Sequence, residues 1–138
     1  MSMRLAKNNT APFDYYSEGD NSDPISTAVI LDGSGVPATI TGNSTNTIFV
    51  IFSNDGTYID NISDAEINIL SEETGIDWEI SEDQITWGNT ISFPTQDVSS
   101  ADVVIQIYAR ANVINDGSIP VNNYIAAKIQ TSCTQNPV

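Results

Sequence analysis

The 138-residue chain has no histidine and one cysteine, Cys133, and its four cations stand against eighteen acidic residues. Each scarcity removes a class of chemistry. Without histidine there is no Ser-His-Asp or Cys-His nucleophile and no histidine-ligated zinc or iron. One cysteine can neither close an intramolecular disulfide nor supply a thiolate cluster, so Cys133 reads as an inert thiol near the C-terminus. A net charge of −14 repels phosphate backbones and anionic lipid, and neither nucleic acid nor a membrane surface is an expected partner. Long apolar runs are missing as well. The uncharged stretch 34–54 is interrupted by Pro37 and Gly42, and the basic start "MSMRLAKNN" loses its apolar character after Leu5-Ala6, so neither a membrane span nor a secretory leader is expected.

Nucleotide-binding spacings are absent too, and "DGSG" at 32–35 reads as a hairpin turn. Carboxylates are abundant enough for a glycosidase pair, but a chain of this length with short loops leaves little room for a cleft. The expectation is a non-enzymatic protein. Two acidic turns, "EGDNSD" at 18–23 and "SNDGTYID" at 53–60, gather oxygen ligands of the kind calcium takes, without the EF-hand spacing. Solvated turns are the simpler reading, and no cofactor is expected.

What the chain does have is β-branched residues in short runs, punctuated by Gly, Asn and Asp. From Ile25 onward eight such runs occur, at 25–32, 37–41, 46–53, 65–71, 76–81, 89–93, 103–113 and 124–131. Period two is clearest in "VVIQIYARA", where Val103, Ile105, Ile107, Ala109 and Ala111 share one face. The window "NISDAEINILSEE" also admits a capped helix from Ser63, but its alternating isoleucines favour a strand. The expected fold is all-β, an Ig-like antiparallel β-sandwich of about seven or eight strands. Residues 1–24 read as an extended N-terminal arm and 25–138 as the sandwich domain. The arm differs in charge: residues 1–12 carry +2 through Arg4 and Lys7 and no acid, so the remainder carries −16 of charge for a net −14. It therefore reads either as a loose terminus or as a docking arm for an acidic neighbour, with another copy of the chain among the candidates.

Both tryptophans fall in "DWEISEDQITWG", residues 77–88. Trp78 shares a strand face with Ile76 and Ile80 while Asp77 and Glu79 take the other, so Trp78 is expected to anchor the core. Trp87 follows the turn at 81–84 and precedes Gly88. Packing at the edge of the core and an exposed contact residue are both open to it.

The pattern Trp78-x-Ile80-Ser81-x-Asp83-x-x-x-Trp87, then Ile107-Tyr108-x-Arg110-Ala111, Asn115-Asp116-Gly117 and Tyr124-x-Ala126, resembles small Ig-like virion proteins of tailed bacteriophages, of the capsid-decoration or accessory kind. Tyr124 lacks the cysteine two residues on that marks the tyrosine corner of antibody domains. The resemblance implies a structural protein assembled in the host cytoplasm onto the head of the virion, with the major capsid protein or a neighbouring virion protein as partner. It also implies an arm whose Arg4, Lys7, Phe13, Tyr15 and Tyr16 make the contact, together with a sandwich edge, since Arg and aromatic residues are the common interface anchors. Strand addition by residues 25–31 to a neighbouring sheet is a related expectation. The alternative is an Ig-like adhesin or carbohydrate-binding module on a head or tail fibre, holding glycan on Trp87, Tyr58 and acidic loop residues.

Overall fold

The computed structural model describes residues 3–15, 25–27, 44–54, 59–70, 76–113 and 128–137. These form nine strands: β1 (Met3–Ala6), β2 (Ile25–Thr27), β3 (Ser44–Phe52), β4 (Ile59–Leu70), β5 (Ile76–Ser81), β6 (Thr90–Ser92), β7 (Gln96–Asp97), β8 (Val103–Val113) and β9 (Lys128–Pro137). All pairings are antiparallel. One sheet runs β1-β3-β8-β5; the other runs β2-β9-β4-β6, with β7 continuing the β6 edge of β4. The expected all-β sandwich is what the chain forms. The runs expected at 37–41 and at 124–127 lie outside the described residues.

The central pairs are β3 with β8 in one sheet and β4 with β9 in the other. Shorter strands flank them. β2, an early strand, lies beside β9, so residues 25–27 pair within their own chain, while residues 28–31 of the segment expected to add to a neighbour's sheet lie outside the described residues; β6 and β7 are inserted beside β4.

Alternation builds the core. Ile48, Val50 and Phe52 of β3, Ile107 and Ala109 of β8 and Trp78 and Ile80 of β5 face inward from the first sheet. Ile62, Ala65 and Ile67 of β4 and Ile129 of β9 meet them from the second. Phe52 packs edge-on against Phe93, ring centroids 5.7 Å apart at 72°, and so ties β3 to the segment following β6.

β4 departs from strict alternation. Its register against β9 shifts between Ile59 and Asn61 and again between Ser63 and Glu66, so two β-bulges each insert one extra residue. Asp64, in the second bulge, has a φ of 52°, a conformation that a short polar side chain tolerates better than a branched one. The bulges bring Ile59, Ile62 and Ala65 inward at a spacing of three. The window read either as a capped helix or as a strand is thus a strand, interrupted by a bulge beside the candidate cap Ser63.

The N-terminal segment also corrects the expectation of an arm, because residues 3–6 belong to the sandwich. β1 pairs with β3 in the register Met3 to Phe52 through Ala6 to Phe49, and Met3 and Leu5 are buried in the core. The chain then folds back: the Lys7 amide donates to the Asp14 carbonyl at 2.8 Å, and Ala6 bridges Tyr15. Asn8 holds this return together, its Nδ2 donating to the carbonyls of Thr10 (2.9 Å) and Pro12 (3.0 Å) while its Oδ1 accepts the Asp14 amide (2.7 Å). Burying the two apolar side chains of "MRLA" outweighs leaving the segment free, by roughly 1.5–3 kcal/mol for each fully buried side chain.

Two substitutions test this packing. Trp78→Ala, at a side chain only 1% exposed, is expected to lower stability by about 3–5 kcal/mol in chemical denaturation. Thr131 is fully buried on β9 and its hydroxyl has no hydrogen-bond partner among the described residues, so Thr131→Val is expected to raise stability by about 1 kcal/mol; a loss of that size would mean that the hydroxyl is satisfied in solution.

Candidate functional site

The turn after β5 is wound by two side chains. Oδ1 of Asp83 accepts the amides of Ile85 (2.8 Å) and Thr86 (2.9 Å) and the hydroxyl of Ser81 (3.0 Å). The Ser81 oxygen in turn accepts the amides of Gln84 (2.9 Å) and Asp83 (3.2 Å). Gln84 sits at a φ of 61°, which reverses the chain. Gly88 then pairs with Ile80 through both main-chain bonds, at 2.8 and 3.1 Å. The Ser-x-Asp spacing thus has a mechanical role: it satisfies the turn's amides locally and delivers Trp87 and Gly88 to the open edge of β5.

Trp87 arrives beside Arg110. The guanidinium carbon of Arg110 stands 3.9 Å from the centre of the indole ring, and its Nε and Nη2 donate to Oε1 of Glu79 at 3.3 and 3.2 Å. Glu79 and Arg110 are register partners on β5 and β8, and both point away from the core. A second arginine repeats the arrangement at the other edge of the sheet. Arg4 of β1 lies 3.4 Å from the ring centre of Tyr15, and Phe13 packs on Tyr15 with centroids 6.0 Å apart. Each arginine gains a cation–π contact worth about 0.5–2 kcal/mol according to its exposure.

Register places Arg4, Ile51 and Val104 in one row of this outer face, and Thr45, Arg110 and Glu79 in another. Between them lie half-buried Phe49 and Tyr108. Ile51 is 1% exposed although it points away from the sheet interface, whereas Val104 in the same row is 38% exposed. The outer face of the other sheet is of another kind. Asn68 Nδ2 donates to Oε1 of Glu66 (2.8 Å), Thr90 Oγ1 to Oδ1 of Asn68 (2.6 Å), and Asn136 Nδ2 to Oδ1 of Asn61 (2.8 Å) and to Ser63 Oγ (2.9 Å), so amides, hydroxyls and a carboxylate make up its ladder.

The expected site residues are thus distributed unevenly. Arg4, Phe13, Tyr15 and Trp87 reach the outer face of the first sheet or its edges, Lys7 is exposed at the start of the return, and Trp78 is in the core. Tyr16 and Tyr58 lie outside the described residues, as do residues 18–23 and 55–58 of the two acidic turns. Among the described residues no group of three or more acidic or cysteine side chains could hold a metal ion. Sequence reasoning missed the Trp87–Arg110–Glu79 stack, because it depends on the β5–β8 register. The Ser81-x-Asp83 spacing was the one local signal pointing to it.

Comparison with protein-family models, with curated proteins and with solved structures finds no match to the chain.

Amide donation from Thr86 and Ile85, and then the Ser81 hydroxyl, hold the Asp83 carboxyl below its ordinary value of 3.8. A folded-state pKa below the unfolded one means that the turn's contribution is complete above the ordinary value and is lost as the pH falls through the depressed one. Carboxyl titration by NMR is expected to show Asp83 protonating below 3.8. Asp83→Ala at neutral pH is expected to make Trp87 accessible to acrylamide while Trp78 stays shielded; Asp83→Asn keeps the acceptor oxygen and the closed turn. Equal quenching of all three proteins would show that the turn holds without Asp83.

Proposed function

We propose that this is a non-enzymatic structural protein of a phage particle, docking on a capsid or neighbouring virion protein through the outer face of its first sheet. The observation that carries this reading is the contrast between the two outer faces. The chain's two arginines and the aromatic rings of Trp87, Tyr108, Phe49, Tyr15 and Phe13 gather on or beside one face, while the other is a ladder of amides and hydroxyls. Arg, Trp and Tyr dominate the energetics of protein interfaces. The motif resemblance supports placement on the particle. The proposed docking element is a rigid face with a folded-back N-terminal hairpin, in place of a free arm.

Cosedimentation of the full chain with purified particles, followed by immunogold electron microscopy, tests the reading. Binding with gold spread over the head is expected. Val104→Arg and Gln106→Arg, both exposed on the proposed face, are expected to weaken binding by about tenfold or more, whereas Thr134→Arg on the opposite sheet leaves it unchanged. Equal binding by all three variants, or gold on no particle, would overturn the proposal.

A further inference from the structure

A hollow of about 260 Å³ opens between the 81–88 turn and β6. Its floor is apolar, made of Ile80 and Ile91, and its rim carries Glu82, Asp83, Thr90 and Ser92, with Trp87 in the wall. The volume falls just below the roughly 300–1,000 Å³ of pockets for drug-sized ligands, which suits one small ring. Ser92 also lines a second hollow, beside Glu66 and Pro94.

Hydrogen-bond accounting narrows the chemistry. The amides of Ile80, Asp83, Thr86 and Gly88 are spent within the turn and its bridge. The hydroxyl hydrogens of Ser81, Thr90 and Ser92 go to Asp83, Asn68 and Glu66, the last at a long 3.5 Å. What the lining offers is mostly acceptors, two carboxylates and the lone pairs of hydroxyl oxygens, beside the Thr86 hydroxyl and the Trp87 indole N–H, which can donate. Among the described residues no cation lines the hollow. A complementary ligand supplies several hydroxyl hydrogens, carries no negative charge and presents an apolar ring face to isoleucine and tryptophan. A neutral sugar meets all three conditions.

Gly88 gives an independent reason to read the hollow as a site. Its φ lies outside the left-handed region and a Cβ built on it meets no atom within 4 Å, so neither backbone conformation nor packing demands glycine there. The bare backbone leaves the hollow open.

We propose that this hollow is a carbohydrate subsite that takes a neutral sugar ring. The proposal goes beyond docking on the particle: the hollow shares Trp87 with the docking face, but Ile80, Gly88, Thr90 and Ser92 lie outside that face, so a change at Gly88 tests the sugar site separately. The test is titration of the full chain with lactose, maltotriose and triacetylchitotriose, and with sialyllactose as the acidic counterpart, followed by backbone amide shifts. At least one neutral probe is expected to shift Gly88, Thr90 and Ser92, with sialyllactose weaker by about tenfold or more. Gly88→Leu fills open space and is expected to keep the fold, the melting temperature and particle binding while abolishing the sugar shifts. Absence of shifts with every neutral probe, preference for sialyllactose, unaltered sugar binding by Gly88→Leu, or shifts at these residues from calcium or choline alone would each overturn it.

Discussion

An open strand edge is a row of unsatisfied amides and carbonyls, and closing the two edges of the first sheet is the constraint on which the other features depend. At each edge the chain turns back and makes a single bridge, Tyr15 onto Ala6 of β1 and Gly88 onto Ile80 of β5. One bridge is too little to hold a loop. Each return is therefore reinforced by a side chain that satisfies its own turn, Asn8 in one and Asp83 with Ser81 in the other. Each also ends in an aromatic ring packed on an arginine of the sheet it closes. Edge protection and surface chemistry thus have a common origin: the loops that blunt the edges are the loops that bring Tyr15 and Trp87 onto the outer face.

Charge makes this arrangement more telling. In a chain of −14 an arginine on the surface has carboxylates within reach almost everywhere, and Arg110 does take Glu79. With side chains 27% and 17% exposed, the pair is partly buried, so its Coulomb gain is offset by the cost of desolvation. Packing against an aromatic ring adds directionality that a point charge lacks, since the guanidinium is planar and weakly hydrated and lies flat on the ring. Lysine in its place would keep the charge and lose the stack.

The sandwich was legible in the sequence wherever alternation runs for several residues against one neighbour. In "VVIQIYARA" the inward Val103, Ile105, Ile107 and Ala109 are the side that meets the core, and Trp78 lies with Ile80 as the "DWEIS" pattern requires. Legibility fails where register or brevity intervenes. β1 has four residues, so its alternation of Met3, Arg4 and Leu5 is too short to stand out from a loose terminus. In β4 the bulges convert a period of two into a spacing of three, and no local feature except an aspartate able to adopt a positive φ marks where. The Trp87–Arg110 contact joins residues 23 positions apart through a pairing that only the folded sheet supplies.

The stretch from Asp77 to Gly88 shows how one short segment serves the core, the edge and the surface without conflict. Alternation in β5 sends Trp78 and Ile80 inward and Glu79 outward. Pairing Gly88 with Ile80 puts both on the same side of the sheet, so the position before it, Trp87, goes to the opposite side, where Arg110 stands. The parity of a single bridge thus decides that one tryptophan is core and the other is surface. Shifting that bridge by one residue would turn Trp87 toward the sandwich interior and fill the space beside Gly88. The geometry of the Ser81–Asp83 turn, which sets the number of residues between Ile80 and Gly88, is therefore what separates a closed edge with a bare hollow from one plugged by its own indole.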